Sequence, residues 1–331
     1  MSALATWGNQ LYTGKRSYPF TTKWKTWFSV ALIILVAVVG LTLARGGFNL
    51  GIDFRGGSEF TVSAVSNTDV APGEDAVQDA VPEAEATVTN IAPGTMRIQT
   101  DLLDDDQTLE VAANLQAAYG VEQDQVTSNF VGPTWGQGVT QQALLGLVVF
   151  IVLVALLMAV YFRTWKMSLA AVIGLLYVVA VTAGIYGATG FEVTPSAIIG
   201  FLTILSYALY DTVVVFDKIR ENTEHNLEET TRTFRENVNL AINQTLVRSI
   251  NTSVVAILPV ASILFIGAFL LGAGTLRDIS LAIFVGIMVG TLATIFIQAP
   301  LYALMRKGEP KIQANDAKVL ERREAETSAA A

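Results

Sequence analysis

Long apolar runs alternate with polar segments along this chain of 331 residues. Crossing the hydrocarbon core of a bilayer, roughly 30 Å thick, takes about 20 consecutive apolar residues in a helix. The pattern therefore predicts an α-helical membrane protein with six transmembrane helices, the first over residues 27–44 and the other five within residues 141–305. The six apolar runs begin near Trp27, Ala143, Met167, Pro195, Val254 and Ile279.

One polar segment, residues 45–140, is long enough to fold as a small domain between the first and second helices. Its pattern alternates short strands with amphipathic helices in the order β-α-β-β-α-β. The predicted elements are a strand at 60–64, a helix opening at Pro72, strands at 86–91 and 96–100, a helix from Asp104 to Gly120 and a strand at 125–131. This order predicts a ferredoxin-like α+β domain, a scaffold from which function cannot be inferred.

Composition supports a membrane protein and narrows its chemistry. Hydrophobic residues make up 52% of the chain and charged residues 15%, which is too apolar for a soluble globular domain. The chain has no cysteine, its one histidine is His225 in a polar loop, and it contains no phosphate-binding loop motif. We therefore expect no enzyme activity, no metal and no other cofactor, with protons as the coupling ion for any work.

The distribution of basic residues predicts the orientation. If the N-terminus is cytoplasmic, only four of the 21 lysines and arginines lie outside, which is a strong positive-inside pattern. These four are Arg45, Arg55, Arg97 and Arg277. Both termini are therefore expected in the cytoplasm and the 45–140 domain outside. The cytoplasmic parts are an N-terminal segment 1–26, a loop 218–245 and a tail 306–331, which is expected to be disordered.

An acidic residue, Asp211, lies inside the fourth apolar run, where an ionised side chain costs ~2.5 to 3.5 kcal/mol on insertion scales. Asp217, roughly 9 Å further along the helix, marks the membrane boundary and is expected to form an interfacial salt bridge with Lys218 or Arg220. Arg248 lies on a polar helical face that enters the fifth run, and we infer that this face meets Asp211.

Asp211 and Arg248 allow two interpretations. A carboxylate whose charge responds to small rearrangements beside an arginine has the design of a proton relay. A fixed buried ion pair that only orders two helices is the alternative. The polar residues expected to support this pair are Tyr207, Thr212, Gln244, Asn251 and Thr252.

The first helix is followed by a glycine-rich turn, Gly51-Ile52-Asp53-Phe54-Arg55-Gly56-Gly57. Glycines permit backbone turns with positive φ, as the exit from a helix into a strand requires. Asp53 and Arg55 are expected to pair and to fix this exit.

This turn resembles the glycine signature of the SecD/SecF family of the bacterial protein-export machinery, which is itself similar to the RND transporters. A more specific resemblance lies in the fourth run, from Ile199-Gly200-Phe201 through Asp211 to Asn222, and in Arg248-Ser249-Ile250-Asn251-Thr252-Ser253. With six helices and one large outer loop, the resemblance covers nearly the whole chain. Tyr210 departs from the family pattern, which commonly has Asn at this position.

The resemblance implies that the six helices are one RND-like half of a transporter and that Asp211 and Arg248 belong to its proton-responsive site. It implies an accessory subunit of the Sec translocase in the bacterial cytoplasmic membrane. With SecD, such a subunit uses the proton motive force to promote late translocation and release of unfolded preproteins. The implied partners are SecD, the SecYEG channel, SecA indirectly, YajC, unfolded secretory polypeptide and the lipid bilayer, without nucleic acid.

Two other functions remain open. An RND-like exporter of a lipid or small molecule would use the same proton site but would need an apolar substrate cavity. A structural scaffold for the translocon would support export that does not respond to the proton gradient.

Overall fold

The computed structural model describes residues 3–162, 164–225, 231–268 and 274–330. The helices are α1 Ala3–Tyr12, α2 Trp24–Ala44, α3 Ile52–Arg55, α4 Ala71–Ala80, α5 Asp105–Tyr119, α6 Pro133–Phe162, α7 Trp165–Thr189, α8 Pro195–His225, α9 Phe234–Ser262, α10 Gly274–Ala293, α11 Ala299–Arg306 and α12 Pro310–Ala330. The strands are β1 Gly57–Val62, β2 Thr87–Ala92, β3 Thr95–Thr100 and β4 Val126–Val131. Short π-helical segments, Ile263–Ala268 and Thr294–Gln298, extend α9 and join α10 to α11.

Six helical segments are long and apolar enough to cross a membrane, which confirms the predicted number. They are α2, α6, α7, α8, α9 with its π-helical extension, and the continuous helix from α10 to α11. About half of each apolar window is buried in α7, α8 and α10, against 11% in α2, α6 and α9. Helices α7, α8 and α10 therefore form the centre of the bundle.

The chain begins and ends on one face of this bundle, here called the terminal face, and the outer domain lies on the opposite domain face. The outer domain is an antiparallel sheet in the order β2-β3-β1-β4, which is the ferredoxin-like arrangement that the sequence predicted. Helices α4 and α5 share one hydrophobic core with the sheet. Asp104 caps α5 by accepting a hydrogen bond from the Gln107 amide at 2.8 Å, and Gly120 ends the helix.

Close packing between α8 and α10 depends on glycine. A Cβ atom at Gly286 would overlap the Ile204 side chain, and one at Gly290 would lie 3.1 Å from the Ala208 Cβ atom. Helices that pack in a membrane use such small residues because they let the two backbones approach closely. The position of α8, which carries Asp211, is thereby fixed against α10.

Two predictions for the terminal face are wrong. The predicted loop 218–245 is mostly helical, because α8 continues to His225 and α9 begins at Phe234; residues 226–230 lie outside the described residues, as does Arg163. The tail, expected to be disordered, forms α12. The tail was expected to be disordered because most of its residues are charged or polar. Two apolar residues seven positions apart, Ile312 and Val319, are nevertheless buried.

Candidate proton site and outer-domain junction

Asp211 is buried inside the bundle, with 5% of its surface exposed. Its Oδ1 atom accepts a hydrogen bond from the Ser249 hydroxyl of α9 at 2.6 Å. Its Oδ2 atom has no hydrogen-bond partner in the described part of the chain. Buried polar atoms are nearly always paired, so an unpaired carboxylate oxygen in a transmembrane helix marks a position where a proton can be bound.

Arg248 lies near Asp211 but does not hydrogen-bond it. Its Nη2 atom donates to the Tyr210 hydroxyl at 3.1 Å, and its charge acts on Asp211 through space. The direct contact with Asp211 is made by the next residue, Ser249, which lies about 100° further around the helix. Tyr210, the residue that departs from the family pattern, therefore holds the arginine beside the site.

The polar face of α9 is rotated by one position from the predicted one. Ser249 and Ser253 are buried, and the Ser253 hydroxyl is 2.6 Å from that of Thr291 on α10 and receives a hydrogen bond from Tyr207 at 3.3 Å. Of the predicted residues, Asn251 is exposed and the Thr252 hydroxyl bonds to the backbone of its own helix. Hydroxyl groups thus connect α8, α9 and α10 beside Asp211.

Gln244 supports α9 at the terminal face rather than at Asp211. It accepts a hydrogen bond from Asn222 at 2.8 Å and donates one to the Tyr12 carbonyl at 3.1 Å. Asp217 is exposed, and its neighbour Lys218 pairs with Glu221 at 2.7 Å. The part of the expected interfacial salt bridge that joins Asp217 to Lys218 is therefore wrong, and pairing of Asp217 with Arg220 stays a prediction.

A second polar contact lies on the other side of Asp211. The Thr212 hydroxyl donates to the Gln298 Oε1 atom at 2.7 Å and lies 3.3 Å from that of Thr294. Thr294 and Gln298 begin and end a π-helical segment, a feature that is frequent at functional sites. Neither residue is among those predicted for the site, although polar residues at 291, 294 and 298 inside an apolar run were a signal for them.

Asp53 lies at the junction between the outer domain and the bundle. It lines a polar cavity of about 180 Å³ with Glu59, Arg97, Glu192 and Asp278. Burial raises the pKa of Asp53, the charge of Glu192 raises it further, and Arg97 lowers it. Arg55 is exposed and, among the described residues, forms no ion pair with Asp53, so the predicted pairing of Asp53 with Arg55 is wrong.

The junction is held by Glu192, in the segment between α7 and α8. Its carboxylate accepts hydrogen bonds from Arg97 at 3.0 Å and from Gln99 at 2.7 Å, both on β3 of the outer domain. The Gly51 amide also donates to the Val193 carbonyl at 3.0 Å. These contacts tie the outer domain to the start of α8.

The glycine-rich turn is needed for this close approach. Gly56 and Gly57 have φ angles of 82° and 146°, which side-chain-bearing residues rarely adopt. A Cβ atom at Gly51 would lie 2.7 Å from the Glu192 Oε1 atom, and one at Gly57 would overlap the Thr100 carbonyl. The turn therefore lies in close contact with the segment before α8, with Glu192 rather than Arg55 as the charged neighbour of Gly51. Within the described residues, no acidic or histidine cluster is arranged to hold a metal ion.

Comparison with known proteins identifies the family. The model for the C-terminal region of the protein export membrane proteins SecD and SecF matches residues 111–308, and the SecD/SecF GG motif matches residues 43–67. The chain belongs to the SecD/SecF family. Within this family it is similar to translocase subunits SecF: 42% identical to that of Streptomyces coelicolor, over 98% of this chain and 86% of the relative, and 39% identical to that of Mycobacterium tuberculosis H37Rv, over 95% and 73%.

The fold is also that of a solved SecDF structure. The crystal structure of SecDF from Thermus thermophilus, a translocon-associated membrane protein, superposes with a TM-score of 0.77 at 30% identity. The match covers 88% of this chain and 39% of the SecDF chain, so this protein spans about two fifths of that one. The SecF relatives and this fold make the chain an accessory subunit of the Sec translocase and a multi-pass membrane protein.

Proposed function

We propose that this SecF-type subunit works with a SecD protein in the bacterial cytoplasmic membrane. There it uses the proton gradient to promote late translocation and release of unfolded preproteins. The unpaired Oδ2 atom of buried Asp211 carries this proposal, because a carboxylate in this position can bind and release a proton. Arg248, held by Tyr210, supplies a permanent positive charge beside it.

A physical path connects this site to the outer domain. Asp211 lies in α8, and Thr194 caps the N-terminus of the same helix. Thr194 follows Glu192 by two residues. Gain of a proton changes the hydrogen bond between Asp211 and Ser249 and hence the packing of α8 against α9. Because Glu192 binds Arg97 and Gln99, a shift of α8 moves the outer domain with it.

The partners and the orientation rest on two supports. A SecDF protein carries both parts in one chain, and this chain spans about two fifths of it, which supports a SecD partner that corresponds to the rest of SecDF. Only four of the 21 basic residues lie on the domain face. Because the face with more lysine and arginine is the cytoplasmic one, this supports cytoplasmic termini. The proposal includes contact with the SecYEG channel, an indirect relation to SecA, and YajC and unfolded polypeptide as further partners.

The test compares two acidic residues on the same helix, buried Asp211 and exposed Asp217. Vesicles containing SecYEG, this chain and its SecD partner would be supplied with SecA, ATP and a preprotein, with and without a proton gradient. We expect Asp211→Asn to abolish the stimulation by the gradient and to leave export without a gradient unchanged. Asp217→Asn should retain both.

Two outcomes would contradict the proposal. Full stimulation in Asp211→Asn would exclude Asp211 as the proton-binding group. Export by the unaltered chain that is indifferent to the gradient would favour a structural scaffold instead.

A further inference from the structure

A polar cavity of about 450 Å³ opens on the terminal face, between residues 14–22 and the beginning of α9. Three arginines line it, namely Arg232, Arg235 and Arg323. Glu236 is the one acidic residue among the described residues of its lining, so the cavity carries a net charge of about +2. A cavity with this charge favours an anionic ligand.

The protein itself uses only part of this positive charge. Arg323 pairs with Glu236 at 2.8 Å, and Arg235 donates two hydrogen bonds to the Thr21 carbonyl oxygen, which is uncharged. Arg232 is exposed, and the described part of the chain offers its guanidinium no hydrogen-bond or ion-pair partner. Two guanidinium charges thus remain uncompensated at the cavity, those of Arg232 and Arg235.

Hydroxyl groups complete a lining suited to phosphate. Ser17 and Thr22 line the same cavity, and Ser17 accepts hydrogen bonds from Asn239 and Asn243, which leaves its own proton free to donate. Guanidinium groups together with hydroxyl donors are the groups by which proteins recognise phosphate oxygens.

An apolar cavity of about 250 Å³ adjoins the polar one, since Thr21, Thr233 and Arg235 line both. Its apolar lining includes Trp24, Phe234, Ile312 and Leu320, and the charged residues Lys307 and Asp316 also line it. A free phosphate ion would use only the polar cavity, whereas an amphiphile would use both.

The position of the two cavities agrees with a lipid. Thr21 lies three residues before Trp24, the first residue of the span α2, so the site is at the level of the bilayer surface. Tryptophan at the end of a span is typical of the headgroup region. Basic pockets beside spans at a membrane surface bind anionic headgroups.

We propose that this composite site binds an anionic phospholipid. Its phosphate lies against Arg232 and Arg235, and its apolar part occupies the cavity beside Trp24 and Leu320. The bound lipid contacts residues before α2, the start of α9 and the tail helix α12, and so fixes all three to the bilayer surface. The site lies on elements other than those that carry Asp211, and it does not depend on the proposed proton coupling.

The test uses the full chain in detergent, titrated with phosphatidylglycerol or phosphatidylcholine and observed by native mass spectrometry. We expect preferential retention of phosphatidylglycerol and a loss of affinity of about fivefold in Arg232→Gln. Arg322→Gln is the matched control, because Arg322 is an exposed arginine of α12 that pairs with Glu326 outside the cavity. Equal retention of the two lipids, or an equal effect of the two substitutions, would overturn the proposal.

A second arm separates a lipid from free phosphate. Leu320→Ala removes apolar contact without touching the arginines, and we expect it to weaken phosphatidylglycerol binding about threefold. If inorganic phosphate alone bound as tightly as phosphatidylglycerol and Leu320→Ala had no effect on the lipid, the ligand would be a soluble phosphate and the lipid assignment would be wrong. Arg232 forms no hydrogen bond or ion pair within the described residues, so unchanged thermal unfolding of Arg232→Gln would show that the loss is local.

Discussion

Asp211 depends on one hydroxyl group for its fixed position. The Ser249 hydroxyl oxygen lies 2.6 Å from Oδ1, the only oxygen of this carboxylate that is hydrogen-bonded within the described residues. A buried acceptor that loses its donor keeps the full cost of desolvation, because no water replaces the lost bond. The stability of the bundle is therefore sensitive to this single serine.

Replacement of Ser249 by alanine tests this at the scale of a residue. We expect Ser249→Ala to lower the free energy of unfolding by about 1–3 kcal/mol. Ser262→Ala is the control, because the Ser262 hydroxyl bonds only to the Leu258 carbonyl of its own helix and is exposed. Thermal unfolding in detergent measures the stability of both variants. When Asp211→Asn is also present, Ser249→Ala should lower the free energy of unfolding by less than it does in the unaltered chain. Equal melting temperatures of the two serine variants would contradict the prediction.

Asp211 could be predicted from the sequence, but its hydrogen-bond donor could not. Hydropathy and an embedded charge identify the helix and the residue, and helical spacing identifies a polar face on α9. A rotation of the helix by one residue changes the contact from Arg248 to Ser249, and no pattern within α9 determines that rotation. It is set by packing against α8 and α10, which involves residues far away in the chain.

At the scale of elements, the bundle is organised by contact between α8 and α10. Apolar runs were sufficient to predict all six spans, because lipid requires about 20 apolar residues in each. The same reasoning failed for α12, whose buried residues are too few to raise its hydropathy above that of a disordered tail. Elements that lie in lipid are thus easier to predict than helices that pack at its surface.

Gly286 offers a test of the α8–α10 contact. We expect Gly286→Val to destabilise the bundle by about 1–3 kcal/mol, because the added atoms would overlap Ile204. Gly146→Val is the matched control, since a Cβ atom at Gly146 on α6 would have no other atom within 4 Å. Tryptophan fluorescence during thermal unfolding measures both variants. A similar effect at the two glycines would indicate a general intolerance of valine in place of glycine.

At the scale of the whole molecule, the outer domain is attached through residues that no local pattern connects. Arg97 and Glu192 are 95 positions apart, and each looks like an ordinary surface charge in the sequence. The ferredoxin-like order and the glycine-rich turn could be predicted because they are local. Their attachment to α8 could not, since it depends on how the domain is oriented on the bundle.

We expect Asp53 to make this attachment sensitive to pH. It faces the acidic residues Glu59, Glu192 and Asp278 and the single guanidinium of Arg97 in the same cavity. Burial, followed by the charge of Glu192, raises the pKa of Asp53 in the folded protein above the value of an unfolded chain. A carboxyl group with a raised pKa binds its proton more tightly when folded, so its contribution to stability grows as pH falls through the folded pKa and is lost as pH rises.

Asp53→Asn mimics the neutral acid and should therefore unfold at a higher temperature than the unaltered chain near pH 7.5. The difference should close as the pH is lowered through the folded pKa of Asp53, because Asp53 then takes up its own proton. Asp75→Asn, on the exposed side of α4, is the control and should leave the unfolding temperature unchanged. A constant gap between Asp53→Asn and the unaltered chain over this range would mean that Asp53 does not titrate at the junction. A closing gap would mean that protonation on the domain face strengthens the hold of the outer domain on α8, the helix that carries Asp211.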